Sequence, residues 1–315
     1  MESSDLSERE IRVMTRADLQ RVLGWADEEG WAPGVQDAIP FLVADPEGFF
    51  VARKEDGGDI LASVSAVRSG DTYGFIGLYI CVPEFRGRGH GLALFRHALR
   101  HLEGRVMGLD AVVAQQANYA KHGFVMAHRT VRLGGEVVVD STTSPTVTAA
   151  AAMGGSTHRY DDGLVVQTVS QDEDLQRLVD FDHQHVPAPR PEFVRAWLTT
   201  PGHVACAAIK DGAVEGYGVL RPASGGMRFG PLFAVSFQVA ELLAKALLAA
   251  SVSSPSASGE KLNVFIDVPE PNSEGIRLAE TLGLREVFSA GRMYKGPAPS
   301  LPLGKIFGFT SMELG

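Results

Sequence analysis

Cysteine is scarce in this chain of 315 residues: there are two, Cys81 and Cys206, both inside apolar runs. No CxxC pair occurs, which excludes a disulfide framework and thiolate metal knuckles and points to a reducing compartment. No apolar run approaches the ~18 residues that a membrane span requires. The start, MESSDLSERE, is polar and lacks the apolar stretch of a secretory signal, so a cytoplasmic protein is expected. Positive charge is in deficit, with 29 Lys and Arg against 38 Asp and Glu and a net charge of −9, shared by both halves. Such a chain repels polyanions, so neither nucleic acid nor an anionic membrane is the expected partner. Metal signatures are missing as well. HExxH is absent, and neither the His97, His101 pair nor the His183, His185 pair has a third ligand nearby, so no metal is expected. What remains is ordinary: 45% hydrophobic and 21% charged residues, enough for a large core.

The chain repeats itself. DLQRVL at 18–23 returns as DLQRLV at 174–179. Pro46 and Pro201 each open an apolar run, Gly77 in FIGLYICV matches Gly230 in RFGPLFAV, and KHGF at 121–124 matches TLGL at 281–284. The offset drifts by only a few residues, which indicates two copies of one fold. Between them lies a stretch rich in Ser, Thr, Ala and Gly, of linker composition. The division expected is residues 1–140, a linker at 141–157, and residues 158–315; a second Ser-rich stretch, SVSSPSASGE, reads as a loop. Each copy shows the same order. A helix with Leu19, Val22, Leu23 and Ala26 on one face comes first, then a strand meander ending in a central strand near 75–82. A helix follows at 91–103, striped by Leu92, Phe95, Leu99 and Leu102. A strand at 106–114, a short helix near 116–122 and a last strand from 124 to 133 complete the copy. The class is α/β, a mixed sheet with helices packed on it.

Between the central strand and the next helix stands VPEFRGRGHG. Amides at a helix start lack partners and the helix dipole adds positive charge, so a glycine-rich strand-to-helix loop makes a cradle for a pyrophosphate. A glycine helix entry without a ligand is the plainer alternative. The Walker pattern is absent, and GRGHG falls one residue short of the dinucleotide fingerprint. The pattern [RQ]xxGx[GA] fits as Arg86, Gly89 and Gly91.

VPEFRGRGHGLAL resembles the acetyl-CoA loop of the GCN5-related N-acetyltransferases (GNAT superfamily). NYAKHGF at 118–124 is similar to that family's late helix, where a Tyr stands four residues before Gly-Phe. The resemblance covers residues 10–135 well and 160–295 weakly. Stretches within Gly24–Gly34 and Phe307–Gly315 resemble those of tandem-domain members. The resemblance implies two tandem acyl-CoA N-acyltransferase domains and an N-acetyltransferase that uses acetyl-CoA as co-substrate. The acceptor implied is a primary amine of a small molecule or peptide, attacking directly.

In the resemblance, Arg86, Gly87, Arg88, Gly89, His90 and Gly91 hold the pyrophosphate. Main chain near Cys81 and Val82 aligns the pantetheine arm, and an amide around Tyr79–Cys81 polarises the thioester oxygen. Tyr119 matches the acid that protonates the departing thiolate. An Asn that the family places seven residues earlier is Val112 here. The base stays open: Asp110 in GLDAVV, or Glu28, Glu29 and Asp37. Trp25 and Trp31 bracket Glu28 and Glu29 and read either as an acceptor pocket or as core. The second copy has FAVSFQVAELL in place of the glycine loop and Ala279 in place of the Tyr, so it is expected to bind no acetyl-CoA. It would complete the fold, wall the acceptor pocket or carry another ligand, with the tail LGKIFGFTSMELG docking back as a strand. A CoA-binding sensor without turnover, or an acyltransferase for longer or aromatic acyl-CoA, are the alternatives. Monomer and homodimer are both open.

Overall fold

A computed structural model of the chain describes residues 9–54, 57–139, 157–169, 172–252 and 259–315. The expected linker, but for Thr157, and most of SVSSPSASGE lie outside the described residues. The first half runs β1 (Arg9–Val13), α1 (Arg16–Glu28), α2 (Ala38–Ala44), β2 (Phe49–Lys54), β3 (Ile60–Ser69) and β4 (Tyr73–Cys81). It continues with α3 (His90–His101), β5 (Val106–Ala111), α4 (Gln116–Ala120) and β6 (Val125–Val139). The second half runs β7 (Thr157–Arg159), β8 (Val165–Thr168), α5 (Asp172–His183), α6 (Pro191–Thr199), β9 (Val204–Lys210), β10 (Ala213–Ala223) and β11 (Gly226–Ala234). Then come α7 (Phe237–Ser251), β12 (Glu260–Pro269), α8 (Ser273–Thr281), β13 (Arg285–Lys295) and β14 (Ile306–Gly308).

All these strands join one mixed sheet. Its order is β1-β2-β3-β4-β5-β13-β6-β12-β11-β10-β9-β8-β7, with β14 paired to β11 off that path. The two halves exchange strands. β13 lies antiparallel between β5 and β6, and β6 lies antiparallel between β13 and β12. The expected second copy is present, but neither half closes its own sheet.

Alternation along the strands builds two faces. Phe49 and Val51 of β2 point into a core shared with α1, α2, α5 and α6, whereas Phe50 and Ala52 point at α3. In β9, Ala205 and Ala207 join the same shared core, and Cys206 and Ala208 face α7. The helices α2 and α6 were not foreseen. They carry Phe41 and Trp197, whose rings stack at 6.2 Å across the two halves. α1 starts as the sequence dictates: the Asp18 amide donates to the Thr15 hydroxyl, and the Thr15 amide donates to Asp18 at 2.8 Å, a capping box. Its face Leu19, Val22, Leu23 and Ala26 is buried. On α3 the buried stripe is Leu94, Phe95, Ala98 and Leu102; Leu92, placed on it by periodicity, is exposed.

Buried ion pairs tie the halves together. Arg132 on β6 meets Asp267 on β12, Arg221 on β10 meets Asp37 ahead of α2, and Arg292 on β13 meets Asp110 on β5. Burial alone would raise the Asp267 pKa, but Arg132 and Arg228 outweigh it and hold the carboxyl well below the usual range. Removing one member of such a pair strands the other in the interior, at a cost of about 3–5 kcal/mol.

His203 packs edge-on against Trp197 at 5.0 Å, and its Nδ1 lies 2.9 Å from the Trp197 carbonyl. Burial, with Arg221 nearby, pushes its pKa down to about 4, while Asp37 acts the other way. The unfolded chain therefore binds the extra proton first, and stability falls as pH drops from about 6.5 towards 4. This contributes up to about 3 kcal/mol, reduced by the ring's partial exposure. Melting temperatures between pH 4 and 7 should show this slope, and His203→Gln should flatten it; an equal slope in the variant would refute the assignment.

Candidate active site

β4 and β5 run parallel and paired only from Tyr73–Val106 to Ile76–Leu109. Beyond that point they part. The cause is in β4: Ser63 of β3 pairs with Ile80, but Ser65 pairs with Gly77, so one extra residue bulges at Leu78–Tyr79. Leu78 sits at φ 46°, a left-handed value that costs a leucine about 1 kcal/mol. The Ser63 hydroxyl holds the bulge by donating to the Leu78 carbonyl at 2.7 Å.

Two adjacent spaces with four lining residues in common occupy the gap. The outer is an open cleft of about 550 Å³ bounded by Cys81, Arg86, Gly87, Gly89, Gly91 and Leu92. The inner is a chamber of about 70 Å³ bounded by Ile76, Tyr79, Asp110, Tyr119, Phe288 and Glu313 among others. Trp31, Tyr79, Val112 and Gln115 line both.

At the outer end the loop turns through Gly87 at φ 77° and Gly89 at φ 83°, conformations that favour glycine. Gly89 is the N-cap of α3, and no side chain caps that helix start. Gly87, Gly89 and Gly91 line the cleft, so a helix start without a side-chain cap borders it, which is the arrangement an anion needs. Gly91 is required for a different reason, since a Cβ there would stand 2.9 Å from the Tyr79 hydroxyl. In the second half the corresponding helix, α7, is capped by its own Ser236, whose Oγ accepts from the Val239 amide.

The other named residues divide. Tyr119 stands on α4 in the chamber wall, with its ring 6.4 Å from Tyr79, 5.5 Å from Phe95 and 6.2 Å from Phe124. Burial, with Tyr79 adding to it, raises its pKa, so the phenol keeps its proton at neutral pH. Cys81 has a thiol pushed up by burial, against the pull of Arg86 and the Gly91 amide, so it is a poor nucleophile. Pairing alternates along β4: the Val82 amide donates to Leu61, while the Cys81 main chain turns away from β3, where Arg86 takes its carbonyl at 2.9 Å.

Several expectations need correction. Val82 offers no amide to the cleft, because that amide is paired within the sheet. Arg86 is a brace: besides the Cys81 carbonyl it binds Glu29 at 2.7 Å, joining the end of α1 to the loop. Arg88 is the more open cation, lying 5.7 Å over the Phe85 ring. The His90 side chain is buried against Phe85, so only its main chain serves the helix start. Asp110 lines the chamber, but Arg292 binds both its oxygens at 2.8 and 2.7 Å, and Thr130 adds a third bond, so it is poorly placed as a base. Asp37 is likewise held by Arg221. Glu28 is exposed on the last turn of α1, and Trp25 packs on the core with Arg21 above it, lining neither cavity. Trp31 does line both. His97 and His101 lie edge-on against Phe50 at 4.7 and 4.9 Å. His183 ends α5 exposed, while His185 is buried and stacked on Phe233. Arg190 is paired with Asp182.

The C-terminal tail supplies what sequence reasoning overlooked. After β14 it crosses both central strands at the two repeat-related glycines. A Cβ on Gly230 would meet the Thr310 carbonyl at 2.3 Å, and one on Gly77 would meet the Glu313 carbonyl at 2.1 Å. This path delivers Met312 and Glu313 to the inner chamber, and β13 delivers Phe288 and Ala290. The one available signal was that Glu313 is the only acid after Glu286, set in an apolar tail. Among the described residues no group of three His, Cys, Asp or Glu side chains converges as a metal site, and no helix is long and apolar enough to cross a membrane.

Comparison with known proteins agrees with this geometry. Residues 13–124 match the model of the acetyltransferase (GNAT) family, and residues 178–308 match that of an acetyltransferase (GNAT) domain. The chain is 31% identical over 296 residues to holothin acyltransferase of Pseudoalteromonas sp. (strain SANK 73390), covering 94% of this chain and 91% of that one. Among solved structures, a Pyrococcus horikoshii protein assigned as an acetyltransferase superposes with a TM-score of 0.71 at 20% identity, over 98% of this chain and 96% of that one. A tandem GNAT protein from the clavulanic acid biosynthesis pathway gives 0.54 at 19% identity, over 92% and 100%. The chain belongs to the GNAT acetyltransferase family, as a member with two GNAT-like domains in tandem.

Proposed function

We propose that this protein is an N-acetyltransferase that moves the acetyl group of acetyl-CoA directly to an amine of a small molecule or peptide. The family uses acyl-CoA as co-substrate, and the observation that carries the reading is the gap between β4 and β5. It sets an uncapped helix start, suited to a pyrophosphate, beside a small chamber with a protonated phenol in its wall. The Gly87–Gly91 amides hold the pyrophosphate, the Cys81 main chain faces the arm, and Tyr119 gives its proton to the departing sulfur. The chamber of about 70 Å³ has room for roughly five water-sized groups, which favours a short acyl chain over a long or aromatic one.

The domains we propose are 1–140 and 158–315, linked by 141–157. The second binds no acetyl-CoA, since Ser236 caps the helix start that an anion would need. It walls the acceptor chamber through β13 and the tail. Two free cysteines fit a reducing, cytoplasmic setting. The test is release of CoA thiol from acetyl-, octanoyl- and benzoyl-CoA against a panel of amines that includes holothin, the acceptor named for the relative. Acetyl-CoA should turn over fastest, by tenfold or more. A preference for octanoyl- or benzoyl-CoA would replace the acetyl reading, and binding without turnover of any amine would favour a CoA-binding sensor.

A further inference from the structure

Glu313 is the one carboxylate of the inner chamber with an oxygen to spare. It is 3% exposed, and its Oε2 has no hydrogen-bond partner. Its Oε1 lies 3.4 Å from Arg228 Nη1, a long contact, because that nitrogen also donates to the Ala32 carbonyl at 3.0 Å while Nε and Nη2 go to Asp267. Asp110, the other chamber carboxylate, has both oxygens on Arg292. The Glu313 main chain packs on Gly77, next to the Leu78 bulge, and the residue lines the chamber where β4 and β5 part. Apolar neighbours such as Ile76, Leu78 and Phe288 give this oxygen little else to bind.

We propose that Glu313, delivered by the C-terminal tail to the active site of the first half, is the general base for the acceptor amine. The proposal rests on the acyltransferase reading above and names the residue that reading lacks. The acceptor enters as an ammonium, drawn to the carboxylate. One N–H proton passes to Glu313, and the freed nitrogen lone pair forms the C–N bond to the thioester carbon. As the adduct collapses the C–S bond breaks, the sulfur takes the Tyr119 proton, and Tyr119 is restored by the second proton leaving nitrogen. The proton on Glu313 goes to solvent, so amine, thioester, amide and thiol balance with one proton released. Arg228 meets the other carboxylate oxygen, Oε1, and leaves Oε2 for the amine.

The charged and titratable groups around Glu313 are Arg228 on β11, Arg221 on β10, and Tyr79, Asp110 and Tyr119 across the chamber. Asp267 and Arg132 stand behind Arg228, and Asp37 behind Arg221. The experiment is Glu313→Gln, with kcat/KM measured against pH and acetyl-CoA affinity measured by calorimetry. The expected result is a loss of about 100-fold in kcat/KM, unchanged acetyl-CoA affinity, and a rate that now rises with pH up to the pKa of the amine. Activity within threefold of wild type at every pH would overturn the proposal. A readout on the wild-type protein covers the case in which the variant does not fold. With two amines whose pKa values differ by about two units, the acidic limb should stay in place. A limb that moves one for one with the amine would show that only free amine is used and would overturn the proposal. Acetyl-CoA binding with no amine turned over by wild type would overturn the acyltransferase reading, and the base with it.

Discussion

Tyr119→Phe should lower kcat by about 100-fold or more while leaving the affinity for acetyl-CoA unchanged. The ring sits among Tyr79, Phe95 and Phe124, and phenylalanine preserves that packing, so the melting temperature should move little. Only the hydroxyl is lost. Burial raises the Tyr119 pKa, and with Tyr79 beside it the proton is held throughout the neutral range. That state suits a group that meets a thiolate: the acid must be loaded when the C–S bond breaks, and the proton leaving the nitrogen reloads it as it is spent. A kcat within threefold of wild type would remove Tyr119 from the reaction and leave it as a wall of the chamber.

Gly89→Glu should weaken acetyl-CoA binding by about 30-fold or more, a loss of about 2 kcal/mol. Two effects combine. At φ 83° a residue with a Cβ is strained by about 1–2 kcal/mol, so the start of α3 is distorted. The new carboxylate also sits at the positive end of the helix, where it competes with a pyrophosphate for the same amides. Calorimetry on the variant reads this directly. Retained affinity would show that the cradle lies elsewhere, and a lowered melting temperature without lost affinity would make Gly89 a purely structural residue.

The first half was largely legible in the sequence, because its signals are local. The buried face of α1 follows from a 3.6-residue period and a capping box, and the loop and the short helix with Tyr119 follow from glycine and tyrosine spacing. Leu92 was misplaced because the phase of α3 is set at Gly91, which presses on Tyr79, rather than by the count of apolar residues. α2 went unread because AIPFLVA is short and carries a proline, so its apolar run has no clear period.

What was not legible depends on partners far away in the chain. GLDAVV sets Asp110 among apolar residues, and its side chain is buried, but its partner Arg292 lies 182 residues further on. No periodicity announces that β13 will enter beside β5, since a strand's pattern fixes its faces and not its neighbours. Glu313 was overlooked for the same reason. The tail reads as apolar, and its contact with Gly77 exists only because the two copies exchange strands and share one core.

The central claim is one acetyl-CoA site per chain, built at the gap between β4 and β5 and closed by the second half. Calorimetric titration of the wild-type protein with acetyl-CoA tests it most directly. One site per chain is the predicted result. Two sites would contradict the account by showing that the Ser236-capped helix also holds a pyrophosphate, and no binding would leave the uncapped start of α3 without its ligand.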